Sequence, residues 1–157
     1  MKEALYSIAV TAIIERDGQY LIAKRPSTST RWPGRWTVPG GRLEPADYES
    51  LPKDTEQEWY SILEKVAQRE VLEEVGIVIK DIKYLTSIIV HYNTTVPPTL
   101  IISFYARHAS GEVAVDPLEV DEAIWVTLEQ AKSHDLIGDI YGELVMANEH
   151  LHNGTPA

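Results

Sequence analysis

Apolar and polar positions along this chain follow two rhythms, one of strands and one of helices. Residues 4–14, Ala-Leu-Tyr-Ser-Ile-Ala-Val-Thr-Ala-Ile-Ile, form a nearly continuous apolar run rich in β-branched side chains. That is the pattern of a strand too buried to have one exposed face. Asp17-Gly18 marks a hairpin, and Gln19 to Lys24 is its return strand. Pro26 to Pro33 reads as a loop. Trp36-Thr37-Val38 is a short strand running into Pro39-Gly40-Gly41. Two successive glycines there permit a turn that side chains would block, and leave backbone carbonyls open to a ligand. Residues 45–59 are charged and contain Pro45 and Pro52, with little apolar content before Trp59, and are read as an inserted surface loop. Within its end, Asp54-Thr55 resembles a helix start, with Thr55 and Glu58 in capping-box register. The helix is expected to run to about Val75 and stop at Gly76. Ile62, Leu63, Val66, Ala67 and Val71 fall on one apolar arc of it.

Downstream, Ile77-Val78-Ile79 begins a strand, and residues 82–92 and 99–108 read as two more, joined by a loop holding Pro97-Pro98. Ser110-Gly111 is a turn, Ile124-Trp125-Val126 a short strand, and Thr127 the cap of a brief helix from Leu128 to Ser133. Asp139 to His150 is a terminal amphipathic helix, and residues 153–157 are expected to be disordered. Strands, helix, strands, helix, with the internal helix packed on sheet, predict an α+β fold in a layered α/β/α arrangement. Residues 1–157 are expected to form one domain, without repeats or linker.

Composition narrows the function classes. The chain has 24 acidic against 14 basic residues, a net charge of −10. That argues against broad nucleic-acid binding, which relies on neutralising phosphates with Lys and Arg. A small phosphorylated ligand stays open, because it needs only a local basic contact. No apolar run approaches the length of a membrane span. The first residues lead into strand-like sequence without a signal-peptide pattern, so a cytoplasmic location is expected. The absence of cysteine removes disulfides, thiolate metal sites and a Cys nucleophile.

The candidate chemistry lies in Arg69-Glu70-Val71-Leu72-Glu73-Glu74-Val75-Gly76-Ile77. At 100° per residue, Glu70, Glu73 and Glu74 fall at about 0°, 300° and 40° on a helical wheel, a single stripe. Carboxylates at i, i+3 and i+4 repel one another, and a hard divalent cation is the natural compensation. The alternative is a solvated acidic face. The stripe overlaps the apolar arc, so these acids emerge at the rim of a hydrophobic interior.

With the Gly-Gly turn and the closing Gly76-Ile77, this stretch resembles the second half of the Nudix box at every specified position. That box runs Gly, five residues, Glu, seven residues, Arg-Glu, an apolar residue, any residue, Glu-Glu, any residue, Gly, an apolar residue. Trp36 to Glu44 resembles the approach to the box, and Glu119 ahead of Trp125-Val126 resembles a frequent downstream arrangement. Counted from Gly41, the box would place its Glu at 47 and its Arg at 55, where this chain has Asp47 and Thr55. Counted back from Arg69, the first Glu falls on Ser61. The box is therefore split by fourteen inserted residues. Asp47, Glu44 and Glu64 are the candidates to stand in for its first Glu.

The resemblance implies a Nudix-type α/β/α sandwich with a mixed sheet. It also implies Mg²⁺- or Mn²⁺-dependent hydrolysis of a nucleoside diphosphate derivative. By resemblance Glu70, Glu73 and Glu74 are the metal ligands, joined by the backbone carbonyl of Gly40 or Gly41. One of the three, or Glu119, would act as general base. Arg69 would orient a carboxylate. Arg25, Arg42 and Gly40 are candidates for phosphate contact. Trp32 and Trp36 either stack on a base or pack. The insertion is placed to overhang the cleft or a neighbouring subunit of a homodimer. A Nudix domain that binds nucleotide without turnover is the competing implication. Prenyl diphosphate isomerases share the fold, but their cysteine chemistry is impossible here.

Overall fold

The computed structural model describes residues 2–153. The expectation of a disordered tail concerns residues that lie, apart from Asn153, outside that range. Strands β1 (Ser7–Arg16) and β2 (Gln19–Lys24) form the predicted hairpin. Its turn residues Asp17 and Gly18 both have positive φ, 51° and 79°, as a two-residue turn matched to strand twist requires. Strands β3 (Trp36–Thr37) and β4 (Gly40–Arg42) follow, then helices α1 (Ala46–Glu49) and α2 (Ile62–Val75). Strands β5 (Val78–Val90), β6 (Thr99–Ser110) and β7 (Glu122–Val126) and helices α3 (Leu128–Ala131) and α4 (Ile140–His152) complete the order.

The sheet is mixed. Its main path is β3-β2-β1-β6-β5, with β4 paired to β1 and β7 paired to β2. Strands β1 and β6 run parallel from Ser7–Thr99 to Glu15–Arg107, and the other pairings are antiparallel. Along β1, Val10, Ala12 and Ile14 face α2, whereas Ile13 faces the α4 side. Both faces are covered, which accounts for the continuous apolar run. Val66, Ala67, Val71 and Val75 of α2 are buried on one face of the sheet. Ile140, Leu144 and Ala147 of α4 are buried on the other. The layers are those of an α/β/α sandwich.

The splitting of β1 between two neighbours positions the site. Strand β2 pairs with β1 only at Glu15–Tyr20 and Arg16–Gln19, then continues in register with β7. The opposite end of β1 pairs instead with β4, through Ala9–Arg42, Val10–Gly41 and Thr11–Gly40. A cleft of about 860 Å³ opens where these partners separate, lined by Ala9, Thr11, Lys24 and Arg25 among others.

Three expectations need correction. The helix carrying the glutamates begins at Ile62, not near Thr55. The Thr55 hydroxyl does donate to Glu58 Oε2 at 2.7 Å, but the backbone N–H groups of Asp54 and Thr55 donate forward to the Glu58 carbonyl. Helical bonds run the other way, from a later N–H to an earlier carbonyl, so the pair closes a loop rather than capping a helix. Ser61 then enters α2 from the left-handed region, at φ 55°. Gly40-Gly41 form not a turn but strand β4. Finally, the strand begun at Ile77 and the strand over 82–92 are one irregular β5, ending at Val90. Register shifts between Lys80 and Lys83, around Asp81 at φ 54°, carry it past the break.

The terminal elements follow expectation closely. Thr127 forms a full capping box with Gln130, the brief helix ending at Ala131 rather than Ser133. Asp139 caps α4 by accepting from the Gly142 N–H, and α4 runs two residues beyond the expected end.

Candidate active site

Helix α2 presents its carboxylates to the cleft from the last two turns, beside the buried Val71 and Val75. Arg69 is the organising cation. Its Nε meets Asp47 Oδ1 at 2.5 Å, Nη1 meets Glu73 Oε2 at 2.9 Å and Nη2 lies 3.0 Å from Glu70 Oε1. The contact with Glu70 is a charge contact, since Nη2 is buried without an aligned hydrogen bond. Burial would lower the Arg69 pKa, but the carboxylates of Asp47, Glu70 and Glu73 hold it above its ordinary value. One guanidinium thus fixes three acids from two helices.

Glu74 points to the opposite side of the stripe. Its Oε2 accepts from the Gly40 N–H at 3.3 Å. Burial, then the nearby Glu70 charge, pushes its carboxyl up from 4.5 to about 8. The Gly40 N–H and Arg25 pull the other way, and Glu119 adds to the rise. Glu70 is also raised, by burial foremost, with Arg69 opposing and Glu73 and Glu119 contributing. Both shifts arise first from burial, with repulsion among the carboxylates adding to it and Arg69 and Arg25 opposing.

Glu119 reaches this cluster because its loop docks on the end of α2. The Ala114 and Asp116 N–H groups donate to the carbonyls of Val75 and Glu74, at 3.0 and 2.9 Å. These bonds satisfy carbonyls that the helix end leaves free. Gly76, at φ 74°, lets the chain pass so close that a Cβ there would lie 3.0 Å from the Ala114 carbonyl oxygen.

Gly40 and Gly41 serve different contacts. A Cβ on Gly40 would stand 2.2 Å from the Val10 carbonyl oxygen, while one on Gly41 would stand 2.1 Å from the Glu70 carboxyl carbon. The first glycine lets β4 lie against β1, and the second leaves room for Glu70. Arg25, Arg42 and Arg69 all line the cleft with Glu70, Glu73, Glu74 and Glu119, so the structure gathers every site residue expected from sequence. Arg25 is partly committed, its Nε donating to the Arg31 carbonyl at 2.9 Å.

The donors suit a hard divalent cation. They offer hard oxygen donors, Glu70 and Glu74 half-buried and Glu73 exposed, next to a backbone that only glycine allows so near. Among the described residues, no three His, Cys, Asp or Glu side chains already converge on one point. The reason is local: Arg69 draws Glu70 and Glu73 one way while the Gly40 N–H holds Glu74 another. Rotation of those long side chains would bring them together, because their Cα atoms share the stripe.

Comparison with known proteins agrees with this arrangement. A NUDIX domain family model matches residues 5–145. The chain belongs to the Nudix family. Its fold is similar to that of a MutT NUDIX hydrolase from Burkholderia pseudomallei, with TM-score 0.71 and 22% identity, covering 90% of this chain and 98% of that one. The NUDIX domain of Shewanella oneidensis NrtR, solved in complex with ADP ribose, matches with TM-score 0.69 and 18% identity over 96% of this chain and 90% of that one. In sequence, the NAD-capped RNA hydrolase NudC of Salmonella paratyphi C is 43% identical over 63 residues. That match spans 40% of this chain and only 23% of the relative.

The split Nudix box can now be followed through space. Asp47 stands at the spacing of the first Glu counted from Gly41, and it is the acid that meets Arg69. The Glu44 N–H holds its other oxygen at 2.7 Å. Among the described residues Arg69 pairs with neither Glu44 nor Glu64, and Ser61, exposed ahead of α2, carries no charge to offer. The inserted residues follow Asp47 and close on themselves. Tyr48 and Trp59 rings lie 5.2 Å apart, and Trp59 Nε1 donates to the Leu51 carbonyl at 3.1 Å. Trp36 packs in the core against His134. Sequence reasoning missed Lys24, Arg31 and Asp116 as cleft residues. Each carries a charge, but no motif or spacing sets these three apart from other charged loop and strand-end residues.

Proposed function

We propose that this chain is a metal-dependent pyrophosphohydrolase acting on a nucleoside diphosphate derivative. The observation that carries this is the gathering of Glu70, Glu73, Glu74 and Glu119 in one cleft with Arg25 and Arg42. In this reading Glu70, Glu73 and Glu74 hold Mg²⁺ or Mn²⁺, with the Gly41 carbonyl as a backbone ligand. The cation neutralises phosphate charge and lowers the pKa of water. Arg69 keeps Glu70 and Glu73 in position and Asp47 fixes Arg69. Glu73 or Glu119 accepts the proton of the attacking water, which adds to phosphorus as the bridging oxygen leaves. Arg25, Arg42 and the Gly40 backbone contact the phosphates. The contact of Asp47 with Arg69 favours turnover over a silent nucleotide-binding domain, because it supplies the support that the first box Glu would give. A cytoplasmic location, a single domain and a nucleotide substrate belong to the same reading.

The name of one relative and the ligand bound by another order the substrates to test. NudC acts on NAD-capped RNA by its name, and NrtR was solved with ADP ribose. Both ligands contain a pyrophosphate joined to adenosine, so dinucleotides and nucleotide sugars come first, with nucleoside triphosphates and dinucleoside polyphosphates alongside. Incubation of each class with Mg²⁺ should yield a nucleotide and a second phosphorylated product or pyrophosphate. EDTA should abolish the reaction. If no class turns over, the proposal fails.

A further inference from the structure

The cleft that holds the carboxylates is also lined by an aromatic wall built from two loops distant in sequence. Trp32, between β2 and β3, and Tyr92, just after β5, have ring centroids 5.3 Å apart at 59°. The Arg31 guanidinium lies 3.6 Å from the Tyr92 ring centroid. All three side chains line the cleft and are half-buried. The two rings already touch, so they can receive a flat group on the wall but not between them.

The backbone holds Trp32 in an unfavourable conformation to achieve this. Its φ is 47°, in the left-handed region that a bulky residue rarely adopts. Such conformations persist where surrounding contacts over-determine them, and they concentrate at ligand clamps. The contacts here are the Arg35 N–H on the Trp32 carbonyl at 3.3 Å and Arg25 Nε on the Arg31 carbonyl at 2.9 Å. Arg25 therefore stands between the two ends of the cleft: it braces the aromatic loop while its charge acts on Glu74. Carboxylates, then a cation, then a π-surface is the order that a cation-bound phosphate, a second phosphate and a base would need.

We infer that Trp32 and Tyr92, with Arg31, form the wall on which the substrate's nucleobase stacks, purines more tightly than pyrimidines because they offer more ring area. This rests on the hydrolase reading for its substrate class, but not for its test. Tryptophan fluorescence should be titrated with AMP, CMP and ribose 5-phosphate in EDTA, where no turnover is needed. AMP is expected to bind most tightly, CMP less so and ribose 5-phosphate weakest. Trp32→Leu and Tyr92→Leu should each weaken AMP binding by about tenfold, the scale of losing one base–aromatic stack. For the Trp32 variant, whose reporter is lost, equilibrium dialysis supplies the affinity. Trp32→Phe should restore most of it. Ribose 5-phosphate binding should not change in any variant. Equal affinity for AMP and ribose 5-phosphate, or Leu variants that bind AMP like the wild type, would overturn the inference. Because Trp32 and Tyr92 lie on separate loops, failure of one variant to fold leaves the other as the test. Hydrolysis that proceeds with unchanged KM in both Leu variants would reject the wall alone. Base-dependent binding without any hydrolysis would reject the hydrolase reading alone.

Discussion

Glu74→Gln and Glu73→Gln are expected to lower Mg²⁺-dependent hydrolysis by about 10²- to 10⁴-fold, the range of losing a group that handles charge or protons in the transition state. Their effects on stability should differ, and that difference makes the prediction sharp. Glu73 is exposed and paired with Arg69, so its replacement costs little beyond a surface ion pair. Glu74 is half-buried beside Glu70 and Glu119, and the metal-free fold disfavours its charge. With its pKa raised from 4.5 to about 8, the folded state binds more protons than the unfolded chain across that interval. Metal-free wild type should therefore lose stability as pH rises from about 4.5 to about 8. Glu74→Gln should remove this part of the loss and unfold at a higher temperature than wild type at pH 8 in EDTA. Thermal unfolding across that pH range, paired with steady-state kinetics, checks both halves. Full activity in either variant would contradict the assigned roles.

Neighbouring glycines should fail in opposite ways. Gly40→Ala places a Cβ 2.2 Å from the Val10 carbonyl oxygen and 2.9 Å from the Thr11 Cα. Both are backbone atoms of a central strand and cannot yield cheaply, so β4 must leave β1. A stability loss of about 1–3 kcal/mol or more is expected, seen as a lower midpoint in urea. Gly41→Ala meets only the end of the Glu70 side chain, which can rotate away. The fold should survive with a midpoint close to wild type, while a displaced Glu70 costs about 10²-fold in rate. If Gly41→Ala unfolds the protein and Gly40→Ala does not, β4 does not pair with β1 through Gly40 in solution.

These contrasts also show which parts of the molecule local sequence can encode. The α2 stripe was legible because helical spacing alone puts Glu70, Glu73 and Glu74 together, and Gly76 ends the helix through its own backbone freedom. Strand β1 was legible because burial on both faces leaves an apolar run. The family resemblance supplied the reading that spacing could not: which acids are proposed to bind metal and what reaction is proposed to follow. The start of α2 was misread because Thr55 and Glu58 have the right residue types for a cap, and only the direction of their backbone bonds excludes one. The Gly40-Gly41 turn was misread because closeness to Val10 depends on β1, thirty residues away in the chain. For the first acid of the box, two spacings gave two answers. Of the candidates, Asp47 is the one whose carboxylate α1 brings to Arg69 across the insertion. The aromatic wall had no joint signal at all, as Trp32 and Tyr92 meet only through the sheet.

If the α2 carboxylates form a divalent-cation site, a Mn²⁺ titration followed by electron paramagnetic resonance should reveal it. Wild-type protein should deplete the free-ion signal, and addition of Mg²⁺ should restore it by competition. The Glu70→Gln, Glu74→Gln double variant, folded by circular dichroism, should leave the free-ion signal undiminished at the same concentrations. If the double variant takes up Mn²⁺ as the wild type does, the cation is held elsewhere and the proposed mechanism is wrong.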